Sequence, residues 1–276
     1  MAQWSAVSTR GFVDVDRGAI EYERCVGEGT GGGSSSPLVF LHEGLGSIDL
    51  WRGLPDDVRS RLGDRETLVY ARHGHGRSAA PELPRPITYM HHEADVVLPA
   101  LLAELGIERP WLIGHSDGAS IALLHAGAGH DVAGVVCLAP HVFVEPESIV
   151  GIEAARDQFD ATDMGERMRR YHADPFATFR GWNDVWLSPP FLEWNIEDRL
   201  PGIEAPVLLV QGSDDQYGTF AQLDAIERGV RGPVEQRRIE GAGHSPHLDA
   251  RDAVVAAIVD FIQRHDRQNL LGPVDD

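Results

Sequence analysis

Buried parallel strands are the feature that most constrains the fold of this chain. Continuous apolar runs that end in a turn occur at residues 37–42 (PLVFLH), 66–72 (ETLVYAR), 110–115 (PWLIGH), 133–140 (AGVVCLAP) and 205–212 (APVLLVQG). A strand that is apolar at every position is buried on both faces, which is typical of a parallel sheet covered by helices. Residues 234–240 (VEQRRIE) are predicted to form an edge strand, and residues 11–26 a hairpin of two strands.

Helical patterns lie between these strands. One apolar face, closed by Gly106 as a C-terminal cap, is formed by Ala94, Val97, Leu98, Leu101, Leu102 and Leu105. Residues 121–126, 220–230 and 252–265 are predicted to form further helices. Strands that alternate with helices predict an α/β fold, with a mostly parallel sheet and helices on both faces. In such sheets the functional groups collect in the loops at the carboxyl ends of the strands.

Residues 145–204 interrupt this alternation. The segment has no buried-strand run and is rich in aromatic residues, namely Phe159, Tyr171, Phe176, Phe179, Trp182, Trp186, Phe191 and Trp194. About sixty residues are far more than an ordinary crossover needs. We therefore predict a helical cap at 145–204 over an α/β core formed by residues 1–144 and 205–276, with two ordinary crossover helices as the alternative.

The charge balance limits the classes of partner. The 276 residues carry a formal net charge of −19, and such an acidic surface repels phosphate backbones and anionic lipid heads. The N-terminal residues have no apolar leader segment, and no apolar run approaches the ~18 residues of a membrane span. These observations predict a cytoplasmic protein that acts on a small molecule, with no nucleic-acid or membrane partner.

The motif GHSDG at residues 114–118 is the strongest chemical signal. It follows the predicted strand PWLI directly and precedes the predicted helix SIALLHA, which is the context that a G-x-S-x-G nucleophile turn requires. Gly114 and Gly118 leave room where strand and helix cross. The turn would expose the Ser116 hydroxyl at the sheet edge, beside a helix N-terminus that favours negative charge.

A serine hydroxyl needs a base, and a base needs an acid to orient it. Among the 13 histidines, His244 follows a predicted strand and two glycine turns and precedes a new helix. The nearby His247 is predicted to be an exposed first-turn residue. The loop after residues 205–212 offers both Asp214 and Asp215 as the acid, and spacing alone does not choose between them.

The order Ser, Asp, His, each after a strand, resembles the α/β-hydrolase superfamily over nearly the whole chain. Residues 40–47 (FLHEGLGS) resemble its oxyanion loop, and residues 72–78 (RHGHGRS) resemble the segment that follows the next strand. The family pattern G-x-x-D, counted from Gly212, implies that Asp215 is the acid. The resemblance also implies an oxyanion hole formed by the backbone N–H groups of Gly44 and Asp117.

Two acidic residues depart from the family pattern. Glu43 stands where the oxyanion loop usually has glycine, and Asp117 stands where many members have an uncharged residue. Valacyclovir-hydrolase-like members, which cleave amino-acid esters, are similar in having Ser-Asp-Gly at this turn. The two acids favour an amine-bearing ester or lactone, such as an amino-acid ester or a macrolide-like amino-sugar macrolactone. The alternatives are a salt bridge from Glu43 to Arg72 or Arg77, and an Asp117 that caps local N–H groups.

The sequence thus predicts a serine hydrolase that acts on ester bonds through Ser116, Asp215 and His244. No metal and no other cofactor is expected, because this mechanism needs none. Within the superfamily, a carbon–carbon bond hydrolase, a peptidase and a cofactor-free perhydrolase are the alternatives. A non-catalytic small-molecule receptor is the alternative from another class. The residues predicted to bind the substrate are Glu43, His141, Phe143, Trp182 and Trp186.

Overall fold

A single eight-stranded sheet organises the computed structural model, which describes residues 7–27 and 35–271. The strand order is β1-β2-β4-β3-β5-β6-β7-β8, with β1 and β2 antiparallel to their neighbours and all later strands parallel. The strands are β1 Val7–Val15, β2 Gly18–Val26, β3 Leu38–Leu41, β4 Thr67–Ala71, β5 Trp111–His115, β6 Gly134–Leu138, β7 Val207–Gly212 and β8 Val234–Ile239.

Helices connect the parallel strands. The α-helices are α1 Leu54–Arg61, α2 Tyr89–His92, α3 Leu98–Glu104, α4 Asp117–Gly127, α5 Pro146–Ala161, α6 Met164–Met168, α7 Pro175–Trp186, α8 Ala221–Gly229, α9 Pro246–Asp249 and α10 Arg251–Leu271. Short 3-10 helices cover Ile48–Trp51, Pro189–Glu193 and Glu197–Gly202. None of the described helices is both long and apolar enough to cross a membrane.

The sheet is buried on both faces, which confirms the predicted α/β fold. All four residues of β3 are buried, and their side chains alternate between two hydrophobic clusters. Val39 and Leu41 pack with residues of α3 and α4, whereas Leu38 and Phe40 pack with residues of α1 and α10. Strands covered on both sides must be apolar at every position, which is why these runs are continuous in the sequence.

The predicted elements are confirmed with small differences. The β1–β2 hairpin begins earlier than predicted, and β8 is an edge strand, half-buried or exposed along its length. The helix predicted from the apolar face around Leu98 is continuous from α2 to α3 through a π-helical segment, Glu93–Val97. Pro99 lies just after this segment and has no N–H to donate to the preceding turn, which accounts for the local change of hydrogen-bond register.

Residues between β6 and β7 form α5, α6, α7 and two of the 3-10 helices. Their contacts with the loops at the carboxyl edge of the sheet include two hydrogen bonds of His172. Its Nε2–H donates to the Leu45 carbonyl at 3.0 Å, and its Nδ1 accepts from the Gly76 N–H at 3.1 Å. The division into a core and a cap with these boundaries stays a prediction.

Candidate active site

Ser116 lies on a sharp turn between β5 and α4. Its backbone has φ 51° and ψ −119°, a conformation that a non-glycine residue adopts only at an energetic cost. A Cβ on Gly114 would collide with the Gly118 carbonyl, and one on Gly118 would collide with the Leu41 carbonyl. The two glycines of the motif are therefore required by close backbone contacts, as the sequence predicts. The turn is held by a hydrogen bond from the Ser116 N–H to the Leu138 carbonyl at 2.9 Å.

His244 bridges the two other residues predicted from the sequence. Its Nε2 lies 2.9 Å from Ser116 Oγ, and its Nδ1 lies 2.8 and 3.0 Å from the two carboxylate oxygens of Asp215. The Nδ1–H must donate to the carboxylate, so the lone pair of Nε2 points at the serine hydroxyl. This geometry lets the imidazole accept the serine proton.

Asp215, and not Asp214, is the acid at this site. The Asp215 side chain is buried and also accepts from Gln211 Nε2 at 3.0 Å and from the Tyr217 N–H at 2.9 Å. Burial raises the pKa of its carboxyl, but the hydrogen bond and the charge of His244 outweigh burial, so the pKa lies below its usual value. Asp214 is exposed and accepts a hydrogen bond from Ser213.

The loop after β3 is fixed by its carbonyl groups. Arg72 donates from Nη1 to the His42 carbonyl at 2.8 Å and from Nη2 to the Glu43 carbonyl at 3.0 Å. His75 Nε2 lies 2.9 Å from the Gly44 carbonyl, and the Leu45 carbonyl accepts from His172 as described above. Residues Arg72 and His75 come from the RHGHGRS segment, so this segment positions the loop.

Two backbone donors next to the serine have no acceptor. Among the described residues, neither the Gly44 N–H nor the Asp117 N–H donates to a protein group. Asp117 is the first residue of α4, where a backbone N–H has no partner within the helix. Gly44 has no room for a side chain, because the indole ring of Trp182 lies against its Cα.

A cavity of about 370 Å³ opens above Ser116. Its walls come from the loop after β3, from α5 and α7, and from the loops that carry Asp215 and His244. Ile152 and Tyr217 line it although the sequence analysis did not single them out. Tyr217 is only two residues after Asp215, and its ring stands edge-on to the His244 ring at 4.7 Å between centroids.

Four of the five residues predicted to bind a substrate line this cavity, namely Glu43, His141, Trp182 and Trp186. The His141 pKa is lowered to about 3 by burial and by the charge of His244, so His141 is neutral near pH 7. Phe143 does not line the cavity, and this prediction is corrected. Phe143 forms a β-bridge with Asn195, and its side chain packs against the apolar core.

The Asp117 carboxylate points away from the cavity. It is fully buried and accepts from Tyr89 Oη at 2.6 Å, with Arg72 Nη2 at 3.7 Å. Tyr89 Oη in turn accepts from Trp186 Nε1 at 3.0 Å. The side chain therefore does not line the cavity, and α4 makes no side-chain cap hydrogen bond at its N-terminus.

Glu43 is the one of the two unusual acids that reaches the cavity. Its Oε2 lies 3.6 Å from His115 Nδ1, so neither Arg72 nor Arg77 is its ion-pair partner. Burial raises the pKa of its carboxyl, but the neighbouring His115 imidazole, together with His42, outweighs burial, so the pKa lies well below its usual value. Glu43 is therefore ionised at neutral pH and gives the cavity a negative wall.

Two further histidines, His115 and His247, pack against each other near His244. His115 Nε2 lies 2.8 Å from the His244 carbonyl oxygen. His247 is buried and packs against Trp51 and His115, so its predicted exposure is wrong. The cause is the short helix α9, which turns the His247 side chain inward. Burial, followed by the charge of His115, lowers the His247 pKa to about 3.

Known proteins resemble this chain over most of its length. The proline iminopeptidase of Lactobacillus helveticus is 24% identical over 89% of this chain and 95% of its own length. The esterase of Exiguobacterium antarcticum superposes with a TM-score of 0.69 at 19% identity, covering 92% of this chain and 100% of that one. The enol-lactonase of Burkholderia xenovorans LB400 gives a TM-score of 0.69 at 20% identity, with 92% and 100% covered.

By name these proteins are an iminopeptidase, an esterase and an enol-lactonase, and the two solved structures share the fold of this chain. Residues 38–257 of the chain match the model of the family described as the Alpha/beta hydrolase family. With its mostly parallel sheet and the serine on the turn after β5, the chain belongs to the alpha/beta hydrolase family and is a hydrolase.

Proposed function

We propose that this hydrolase cleaves a carboxylic ester or lactone through an acyl-enzyme formed on Ser116. The observation that carries the proposal is the bridging position of His244, 2.9 Å from Ser116 Oγ and 2.8 Å from Asp215. An imidazole held in this tautomer by a buried carboxylate is the arrangement that makes a serine hydroxyl nucleophilic.

The reaction follows from these contacts. His244 Nε2 takes the proton of Ser116 as Oγ attacks the carbonyl carbon, and the carbonyl oxygen becomes an oxyanion. The protonated His244 then gives its proton to the leaving alkoxide oxygen as the C–O bond breaks. Water, deprotonated by His244, attacks the acyl-enzyme and releases the acid, with the proton returned to Ser116. Asp215 stabilises the imidazolium in both halves.

The unpaired N–H groups of Gly44 and Asp117 support an oxyanion hole at this site. Two preorganised donors directed at a developing oxyanion are typically worth several kcal/mol of barrier. Arg72 and His75 hold the loop carbonyls elsewhere, which keeps the Gly44 peptide in a fixed orientation.

The substrate we propose is uncharged or carries an amine, and Glu43 is the residue that would recognise it. Its ionised carboxylate disfavours an anion in the cavity and attracts an ammonium group. Trp182, Trp186 and His141 supply the neutral part of the wall. Asp117 takes no part in amine recognition in this proposal, because its carboxylate is turned into the protein interior.

Replacing the nucleophile tests the mechanism. We expect Ser116→Ala to lose at least roughly 10⁴-fold in kcat, because the acyl-enzyme can no longer form. A fluorophosphonate should add its mass to the wild-type protein and not to the variant. The activity of both proteins should be measured on a panel of neutral, anionic and amine-bearing esters and lactones. Peptides should be included as the competing class of substrate.

The two neighbouring aspartates provide a matched control. Asp215→Asn should lose most of the activity, since the amide cannot hold His244 as the carboxylate does. Asp214→Asn changes the same chemical group on an exposed residue and should behave like wild type. Full activity of Ser116→Ala, or equal effects of the two Asn variants, would contradict the proposal.

A further inference from the structure

An apolar groove of about 330 Å³ lies beside the catalytic cavity, between the loop after β3 and the helices α5 and α6. Its walls are mostly aliphatic or aromatic, formed by Leu45, Leu50, Met164, Met168 and Tyr171. Gln158 and Arg167 lie at its exposed rim, where Arg167 pairs with Asp163 at 2.6 Å. The groove is therefore apolar along most of its wall, with Glu43 at one end and polar side chains at the exposed rim.

The groove adjoins the site that holds Ser116. Glu43 and Leu45 line both the groove and the catalytic cavity, so these two side chains lie at the boundary between the two spaces. Both belong to the loop that we propose as part of the oxyanion hole. A ligand whose carbonyl group lies at Ser116 would pass these two side chains to reach the groove.

The chemistry of the walls selects the kind of group that fits. Leu45, Leu50, Met164 and Tyr171 are only half-buried, so an apolar group laid along them removes exposed hydrocarbon from water. Methionine side chains are flexible and adapt to chains of different shape. Because Glu43 is ionised at the junction, a chain that carries its own carboxylate is disfavoured there.

We propose that this groove binds an elongated apolar arm of the substrate. The inference rests on the proposed ester or lactone hydrolysis and narrows its substrate class. The preferred substrates are esters or lactones whose hydrocarbon arm is long enough to pass Glu43 and carries no negative charge. Short-chain esters use the catalytic cavity alone and gain nothing from the groove.

The experiment compares acyl chains of increasing length on the wild-type protein. With p-nitrophenyl esters from acetate to decanoate, kcat/KM should rise once the chain reaches the groove. Because burial of the added methylenes in the groove favours binding, the kcat/KM of decanoate should exceed that of acetate by roughly tenfold or more. A p-nitrophenyl monoester of a dicarboxylic acid of the same length should lose most of this gain.

A charge placed in the groove tests the location. Met164→Glu puts a carboxylate at the first residue of α6, a position where an acid suits the helix N-terminus and should not impair folding. We expect the decanoate-to-acetate ratio of kcat/KM to fall by roughly tenfold, the gain that the buried methylenes supply. Val150→Glu is the matched control, because Val150 is an exposed apolar residue of α5 outside both cavities, and it should keep the wild-type ratio.

The outcomes separate the two proposals. Turnover of esters with no dependence on chain length, or equal ratios in Met164→Glu and Val150→Glu, overturns the groove assignment and leaves the proposed function standing. A groove that binds another molecule, such as a second protein, would likewise show no dependence on chain length and equal ratios in the two variants. Turnover of no ester or lactone by the wild-type protein overturns the proposed function, and the groove assignment with it.

Discussion

At the scale of single residues, the two unusual acids of this site have different roles although their sequence contexts are alike. Glu43 precedes Gly44, and Asp117 is itself the second residue whose N–H we place at the oxyanion hole. The loop after β3 presents the Glu43 side chain to the cavity, whereas the first turn of α4 directs the Asp117 carboxylate towards Tyr89 and Arg72. Asp117 therefore acts within a buried polar network that also reaches Trp186 of α7.

Asp117→Asn should lower stability without changing the choice of substrate. The amide can still accept from Tyr89, but it removes the negative charge beside the buried Arg72 guanidinium. We expect a loss of about 1–3 kcal/mol in the free energy of unfolding, measured by urea denaturation. The relative rates on amine-bearing and neutral esters should stay the same.

The comparison with Glu43→Gln completes this prediction. Glu43→Gln should narrow the difference in kcat/KM between amine-bearing and anionic esters, because it neutralises the negative wall of the cavity. A selective loss of amine-bearing substrates in Asp117→Asn would show that its carboxylate does act on the substrate.

Sequence reasoning at this scale identified residue types and loops but not side-chain directions. Ser116 and His244 were identifiable because strand, turn and helix signals surround each of them. The direction of Asp117 depends on Tyr89 and Arg72, which lie 28 and 45 positions earlier in the chain and meet it only in the folded structure. The same holds for His247, whose burial depends on Trp51.

At the scale of elements, the turn from β5 to α4 is a tightly packed crossing. Gly118 lies in α4 but faces the end of β3, where its Cα approaches the carbonyl groups of Leu41 and His42. The position of Ser116 thus depends on contact between two backbones.

The buried strands were predictable from the sequence, since residues covered on both faces must be apolar. The sheet order and the π-helical segment were not, because they depend on contacts between distant parts of the chain.

Gly118→Ala should therefore disturb the turn. The added Cβ meets backbone atoms that cannot rotate away, so we expect a loss of about 1–3 kcal/mol in stability and a fall in kcat of the folded fraction. Circular dichroism during urea unfolding and active-site titration give the two measurements. Gly181→Ala is the matched helical control, because its new Cβ would meet mainly the side chains of Leu83 and Arg85. A wild-type kcat in folded Gly118→Ala would contradict the required close contact.

At the scale of the whole molecule, buried histidines are the feature that links stability to pH. Burial, the first cause in each case, lowers the pKa values of His42, His75, His125, His141, His172 and His247. The value falls to about 4 for His125 and to about 3 for His141 and His247, from 6.5 in the absence of these effects. Most of these side chains lie at the carboxyl edge of the sheet, around the candidate site.

This distribution predicts loss of stability in mild acid. Each of these histidines has a lower pKa folded than unfolded, so the unfolded chain binds more protons once the pH falls below 6.5. Their contribution is complete above that pH and is lost as the pH falls towards the folded values, at up to about 1.4 kcal/mol per pH unit for each histidine. Urea unfolding at a series of pH values between about 7.5 and 5 measures the slope. His125 lies outside the catalytic cavity, so His125→Asn should reduce the slope of the unfolding free energy against pH by the contribution of one histidine. A free energy of unfolding that does not change across this range would contradict the neutral, buried state of these side chains.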